Sequence, residues 1–166
     1  MKKQKGFSLI ELLIVVAIIL IIAAIAIPNL IRSKMAANEA SAVATLRTIN
    51  TAEVVYSSTY NVANTFAATL SALADGGSAA ACTPGAAPPT SAAACLLDAA
   101  VATVATSAAG KSGYQLTYTP PSATGYALNN NPVTPGSSGV RFFYSDQTLV
   151  IRQNPAAAAA ATDPPL

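Results

Sequence analysis

The chain has 166 residues, 52% of them hydrophobic with alanine the commonest, and nine basic against seven acidic side chains give a net charge of +2. This balance supplies no single-signed field of the kind nucleic-acid binding needs, so no nucleic-acid partner is expected. Histidine is absent and the four aspartates Asp75, Asp98, Asp146 and Asp163 are scattered, which leaves no metal-ligand cluster and no nucleophile beside a base. No metal, cofactor or catalytic residue is expected, and the chain does not read as an enzyme.

Lys2, Lys3 and Lys5 precede a stretch from Phe7 to Ile27 whose only polar members are Ser8 and Glu11. As a helix this stretch rises about 32 Å, enough to cross a bilayer. The basic flank is expected to stay cytoplasmic and send the C-terminus outward, against the smaller pull of Arg32 and Lys34 on the far side. The apolar run is longer than the core of a secretory signal peptide and passes into Ile27-Pro28-Asn29 without a small-residue cleavage site, so the span is expected to stay in the mature protein.

Beyond Pro28 the pattern takes a helical period. Met35, Ala42, Leu46, Ile49, Tyr56 and Tyr60 fall on one face, while Ser33, Ala37, Ala40, Ala44, Thr48, Thr51 and Ser58, all small, fall on the other. The large face suits a head domain and the small face the close approach of another helix. Glu39 and Glu53 lie on or beside the apolar stripe and make it imperfect.

From Asn61 to Gly110 the sequence is rich in Ala, Thr and Ser with Gly76-Gly77 and Pro84, Pro88 and Pro89, which reads as a long loop with one short helix near residues 93–105. Strand signals follow at 114–118, 126–129, 140–144 and 148–152, and four short antiparallel strands are expected to use the Leu46 and Tyr56 face of the helix as their cover. The alanine-rich end from Pro155 is expected to be disordered. The fold class is α+β, with a long N-terminal helix on a small antiparallel sheet. Cys82 and Cys95 are expected to form a disulfide if this part of the chain faces the oxidising side of the membrane.

The segment Lys5-Gly6-Phe7-Ser8-Leu9-Ile10-Glu11-Leu12-Leu13 resembles the processing site of type IV prepilins and related pseudopilins, and the likeness runs on through Ala23-Ala24-Ile25-Ala26-Ile27-Pro28-Asn29-Leu30. The resemblance implies that a membrane-embedded prepilin peptidase cuts after Gly6 and that the new terminus at Phe7 is N-methylated. Glycine at the edge of the span also gives a protease close access to the backbone. Glu11 carries the assembly role: a carboxylate within a hydrocarbon run costs about 2.5 to 3.5 kcal/mol on insertion scales for Asp, and the ammonium that cleavage creates on a neighbouring Phe7 can pair with it. Such pairing sets an axial register in a stack of helices.

This reading divides the chain into a leader (1–6), a transmembrane helix (7–27), an amphipathic helix (28–62), a loop region with the disulfide (63–112), a four-stranded sheet (113–153) and a tail (154–166). Its partners are further copies of itself in a helical filament, the peptidase and methyltransferase, the inner-membrane assembly machinery and the membrane. It is expected in the bacterial inner membrane as a single-pass protein with its C-terminus outside the cytoplasm, then in a pilus or a periplasmic pseudopilus. A type IV pilus subunit is the first choice and a type II secretion pseudopilin the alternative; a signal-anchored envelope enzyme or binding protein is a further class that no constellation supports. Family members commonly carry a helix-breaking glycine where this chain has Leu20, a helix former favoured by up to about 1 kcal/mol. The isolated subunit is therefore expected to hold a nearly continuous helix from Phe7 to about Tyr60, kinked at Pro28 at most.

Overall fold

A computed structural model describes residues 7–60, 65–77, 82–83, 88–103, 110–122 and 125–166. The expected leader, residues 1–6 with Gly6, lies outside them. The first element, α1, is Leu9–Thr59, followed by two single-turn helices, α2 (Leu70–Leu73) and α3 (Ala99–Ala102). The strands β1 (Tyr114–Ser122), β2 (Gly125–Pro132), β3 (Phe142–Asp146) and β4 (Arg152–Asn154) form one antiparallel sheet in the order β1-β2-β3-β4. The chain divides into two compact units, Met1–Lys34 and Met35–Leu166, with α1 running through both.

In the second unit the large face of α1 is buried as its period requires: Ala42, Leu46, Ile49 and Tyr56 are in the core, and Met35 and Tyr60 are half-buried. The sheet answers with alternate residues. Tyr114 and Leu116 of β1, Tyr126 and Leu128 of β2 and Phe143 of β3 point into the same core, and β2 alternates buried and half-buried along its whole length. Deleting a fully buried side chain such as Leu46 or Phe143 removes a contact set worth about 2–5 kcal/mol. Polar pins fix the helix over the sheet: the Tyr126 hydroxyl donates to Asn50 Oδ1 (2.9 Å), Asn50 Nδ2 donates to Ser145 Oγ (2.7 Å), and Asn130 Nδ2 donates to the Ala42 carbonyl (3.2 Å).

The two glutamates that broke the apolar stripe are buried joints. Glu39 Oε1 accepts from the amides of Val140 (2.9 Å) and Arg141 (3.3 Å), and its Oε2 accepts from Arg141 Nε at 2.8 Å. Arg141 is in turn bonded to Gln153 Oε1 and stacked over Phe143. Because Glu39 holds the amides of residues 140 and 141, the third strand begins at Phe142 and not at Val140. Glu53 is fully buried, accepts from the Ala67 amide at 3.0 Å and lies 2.7 Å from the Tyr118 hydroxyl.

Three other expectations are corrected. The fourth strand is Arg152–Asn154, not 148–152, because Asp146 Oδ1 accepts from both the amide and the hydroxyl of Thr148, and Leu149, with φ of 63°, donates to the Asp146 carbonyl. This side chain-to-backbone turn outweighs the β-propensity of Thr148, Leu149 and Val150. The first strand runs on past Tyr118 through two prolines, which is tolerated because β1 is an edge strand; its register shifts between Thr119 and Ser122. The tail, expected to be disordered, is fastened along the other edge. Gln153 N donates to Pro164 O, Leu166 N to Ile151 O, Arg152 Nη1 to Asp163 O and Asn129 Nδ2 to Ala159 O. Asn154 and Asp163 bracket the alanine run, accepting from the amides of Ala156, Ala157 and Ala160, and Ala159 is buried. The composition of the tail is low in complexity, but its two polar brackets supply the anchors, and the tail covers an edge that would otherwise offer unpaired backbone groups.

The middle of the chain is tied down in the same piecemeal way. Cys82 and Cys95 are joined in a disulfide, and the amides of Ala94, Cys95, Leu96 and Leu97 donate to carbonyls at Ala72, Ala74 and Leu73. The helix expected near 93–105 is described as the single turn α3, started by Asp98, whose Oδ1 accepts from Ala100 N; residues 104–109 lie outside the described set.

Removing the Glu39 joint has a signed pH dependence. Burial raises the carboxyl's proton affinity, but the bonds from Val140 and Arg141 outweigh it and hold the group below its ordinary 4.5. Its contribution is therefore complete above 4.5 and is lost as pH falls through the lower folded-state value. Glu39→Ala, which leaves two amides and a guanidinium without their acceptor, is expected to cost about 2–4 kcal/mol at neutral pH in denaturant unfolding of the whole chain in detergent. The stability of Glu39→Ala and the parent should converge in acid; a constant gap down to the lowest pH would contradict this account.

Candidate assembly segment

The described part of the N-terminal unit is built from residues that are almost all exposed. Of Phe7 to Ile27, Ala23 alone is half-buried and every other side chain is exposed, with Phe7 at 79%. The helix α1 is long and apolar enough to cross a membrane. Backbone hydrogen bonding inside the helix makes such a span viable in lipid, where no water can satisfy a broken turn. The helix is uninterrupted through both Leu20 and Pro28. No glycine occurs from Phe7 to Asp75, so no residue of α1 carries that conformational freedom.

The start of the helix has an arrangement that sequence reasoning missed. Ser8 lies just before the first helical residue; its carbonyl accepts from Leu12 N (3.2 Å), and its amide donates to Glu11 Oε2 (2.9 Å). Ser8-Leu9-Ile10-Glu11 is thus half of a capping box, in which an acidic residue three places into the helix reaches back to the residue that opens it. The Ser-x-x-Glu spacing was the available signal. Glu11 therefore meets an amide donor at a helix N-terminus, where a negative charge is favoured by the helix dipole. The group it binds is one residue from the Phe7 nitrogen.

Of the residues singled out from sequence, Phe7, Glu11 and Pro28 lie on or beside α1, Gly6 lies outside the described residues, and Cys82 and Cys95 belong to the second unit. The disulfide ties Cys82 to Cys95 within the loop region of the second unit. Among the described residues no three His, Cys, Asp or Glu side chains come together as metal ligands.

The face of α1 opposite the core is also open. Ser33, Ala37, Ala40, Ala44, Thr48, Thr51 and Ser58 are all exposed. The Thr48 and Thr51 hydroxyls donate to the carbonyls of Ala44 (3.0 Å) and Arg47 (2.9 Å), so their hydrogen bonding is met within the helix.

The model of the prokaryotic N-terminal methylation motif matches residues 1–27. The chain is 59% identical over 39 residues, 24% of its length and 30% of the relative's, to the type IV wide pilus major component PilA4 of Thermus thermophilus. It is 49% identical over 51 residues, 31% of its length and 23% of the relative's, to the type IV major pilin protein PilA of Myxococcus xanthus. The chain thus spans less than a third of the length of either of these curated relatives. No solved structure matches it. The methylation motif and both likenesses fall at the N-terminal end of the chain, where the side chains from Phe7 to Ile27 are almost all exposed, so the similarity to type IV pilins lies in the segment that the chain's own fold leaves uncovered.

Proposed function

We propose that this pilin-like chain is the structural subunit of a type IV pilus, cut by a prepilin peptidase between Gly6 and Phe7, methylated at Phe7 and polymerised through the N-terminal half of α1. The observation that carries the reading is the contrast within one helix: Val43, Leu46, Ile49 and Tyr56 are buried in the core, while the large side chains from Leu9 to Ile31 are left bare. The names of the two relatives, both pilus subunits, favour a pilus over a secretion pseudopilus. Before assembly the bare half resides in the inner membrane with residues 35–166 outside the cytoplasm, an orientation supported by Lys2, Lys3 and Lys5. Pro28 lacks the amide that would bond the Ala24 carbonyl, so any bend needed for packing concentrates there.

Transfer of the span from lipid to a bundle of like helices exchanges one apolar surrounding for another, so the hydrophobic effect gives little direction to it. Direction comes from Glu11. In the single chain its carboxylate is occupied by the Ser8 amide; once the leader is gone, the Phe7 ammonium of an adjacent subunit offers a charged partner in a low-dielectric setting, where an unpaired charge is costly. The pilus machinery would act on subunits already marked by that new terminus.

Mass spectrometry of the mature protein is expected to show a chain beginning at Phe7 with one added methyl group; retention of Met1 or Lys2 would remove the proposal's first step. Two variants then separate the cap from the charge. Glu11→Gln keeps an acceptor for the Ser8 amide and loses the charge, whereas Glu11→Leu loses both. Both should insert and be cleaved as the parent is, since neutralising the span favours insertion. Both should also give at most a tenth of the parent's filaments on about the scale of one lost charge pair. Filaments at parental abundance from Glu11→Gln would show that the cap suffices and that the charge pairing is wrong.

A further inference from the structure

Glu53 is the fully buried acid of the core, and the hydrogen-bond donors around it do not add up if it is ionised. Its Oε2 accepts from Ala67 N at 3.0 Å, and its Oε1 lies 2.7 Å from the Tyr118 hydroxyl. The same hydroxyl lies within hydrogen-bond distance of the Ala67 carbonyl. A phenol carries one proton. With a carboxylate at Glu53, that proton faces two acceptors, and one of the two close oxygen pairs has no hydrogen between its members.

One further proton resolves the count. If Glu53 Oε1 is protonated it donates to the Tyr118 oxygen, the Tyr118 hydroxyl donates to the Ala67 carbonyl, and the Ala67 amide donates to Glu53 Oε2. Three donors then meet three acceptors in a closed ring. We infer that Glu53 is a neutral carboxylic acid in the folded protein, and that its proton closes a latch joining α1, the 65–69 connection and β1.

The surroundings agree. Among the described residues no lysine or arginine pairs with Glu53; the ion pair present is Glu39 with Arg141. The titratable groups that face Glu53 are Tyr56 from α1, Tyr118 from β1 and Tyr126 from β2, with Asp146 of β3 beside Tyr126. All four are neutral or negative, and the Tyr126 hydroxyl is engaged with Asn50. Burial pushes the Glu53 carboxyl above its ordinary 4.5 despite the bonds from Tyr118 and Ala67, and burial together with Glu53 pushes the Tyr118 phenol far up as well.

The latch matters because of what it holds. Ala67 leads into α2, and α2 in turn carries the segment closed by the disulfide, through the bonds from residues 94–97 to Ala72, Leu73 and Ala74. A group with a raised folded-state value contributes fully below its unfolded value, here 4.5, and loses that contribution as pH rises through the folded value. Raising the pH through the folded-state value therefore loosens the hold on residues 65–77.

The chain has three glutamates, Glu11, Glu39 and Glu53, so the whole protein labelled with carbon-13 at the glutamate carboxyl gives three signals in detergent micelles. At pH about 7, where an ordinary carboxyl is ionised, the signal missing from Glu53→Gln should have the shift of a carboxylic acid. Glu53→Gln itself retains a donor toward Tyr118 and an acceptor for Ala67 N, and should unfold with the parent's stability below pH 4.5, where the parent's carboxyl is protonated in both states. The ratio of parental to Glu53→Gln unfolding constants should rise about tenfold per pH unit over the window that opens above the unfolded value. If Glu53→Gln fails to fold, Tyr118→Phe assigns the signal, because removing the relay shifts it while leaving Glu11 and Glu39 unmoved. A Glu53 signal at the carboxylate position at neutral pH, or a ratio that is flat with pH, would overturn the latch.

Discussion

The fold is organised by a mismatch between one helix and the cover available for it. Four strands and a loop region bury Val43, Leu46, Ile49 and Tyr56, a minority of the large side chains that α1 presents. The rest, a run of Leu, Ile and Val from Leu9 to Ile31, stays bare. Burying one such side chain is worth about 1.5–3 kcal/mol, so a run of this length cannot remain in water at equilibrium. In the proposed function the bilayer and then like helices meet this demand, and the life of the subunit is a passage from the first to the second.

Within residues 35–166 the small sheet is held to the helix by acids as much as by apolar contact. Glu39 and Glu53 are fourteen residues apart along one face of α1, and each accepts from the backbone of a connection, Glu39 from the amides of Val140 and Arg141 and Glu53 from that of Ala67. Their environments set opposite signs. Glu39 has a guanidinium beside it and is stabilising as an anion, so its contribution fades in acid. Among the described residues Glu53 has aromatic hydroxyls and no cation beside it, so its contribution fades as pH rises above the ordinary 4.5. Stability linked to this pair is greatest between the two folded-state values, a consequence of where one arginine lies.

Much of this was legible in the sequence because it rests on periodicity. The 3.6-residue spacing of Leu46, Ile49 and Tyr56 and the two-residue alternation in Tyr126-Ala127-Leu128 are local signals, and helix and sheet follow them. What escaped notice rests on single side chains that compete with the backbone. Asp146 turns a β-prone stretch into a bend, Asn154 and Asp163 fasten an alanine run that composition marks as loose, and Glu39 delays a strand by holding its first amides. Glu39 and Glu53 read as flaws in an apolar stripe because their partners at Arg141 and Tyr118 are far away in the chain. At the N-terminal segment the Glu11 position was plain, and its bond to Ser8 was signalled by a Ser-x-x-Glu spacing that was passed over.

The same competition explains how the exposed side of α1 can face another helix. Threonine on an open helix face ordinarily presents a hydroxyl that must keep water or find a partner when covered. Thr48 and Thr51 turn theirs back onto the carbonyls of Ala44 and Arg47, and Ser57 and Ser58 do the same at Val54 and Val55. Covering this face then displaces water without stranding those donors, and the small side chains at Ala37, Ala40 and Ala44 keep the backbones close. In the proposed filament the face is therefore permissive, filling space at little cost in polar desolvation. Register must be set elsewhere, at the charged end of the apolar run, because a surface of alanines and self-satisfied hydroxyls fits nearly as well when it slides by one turn.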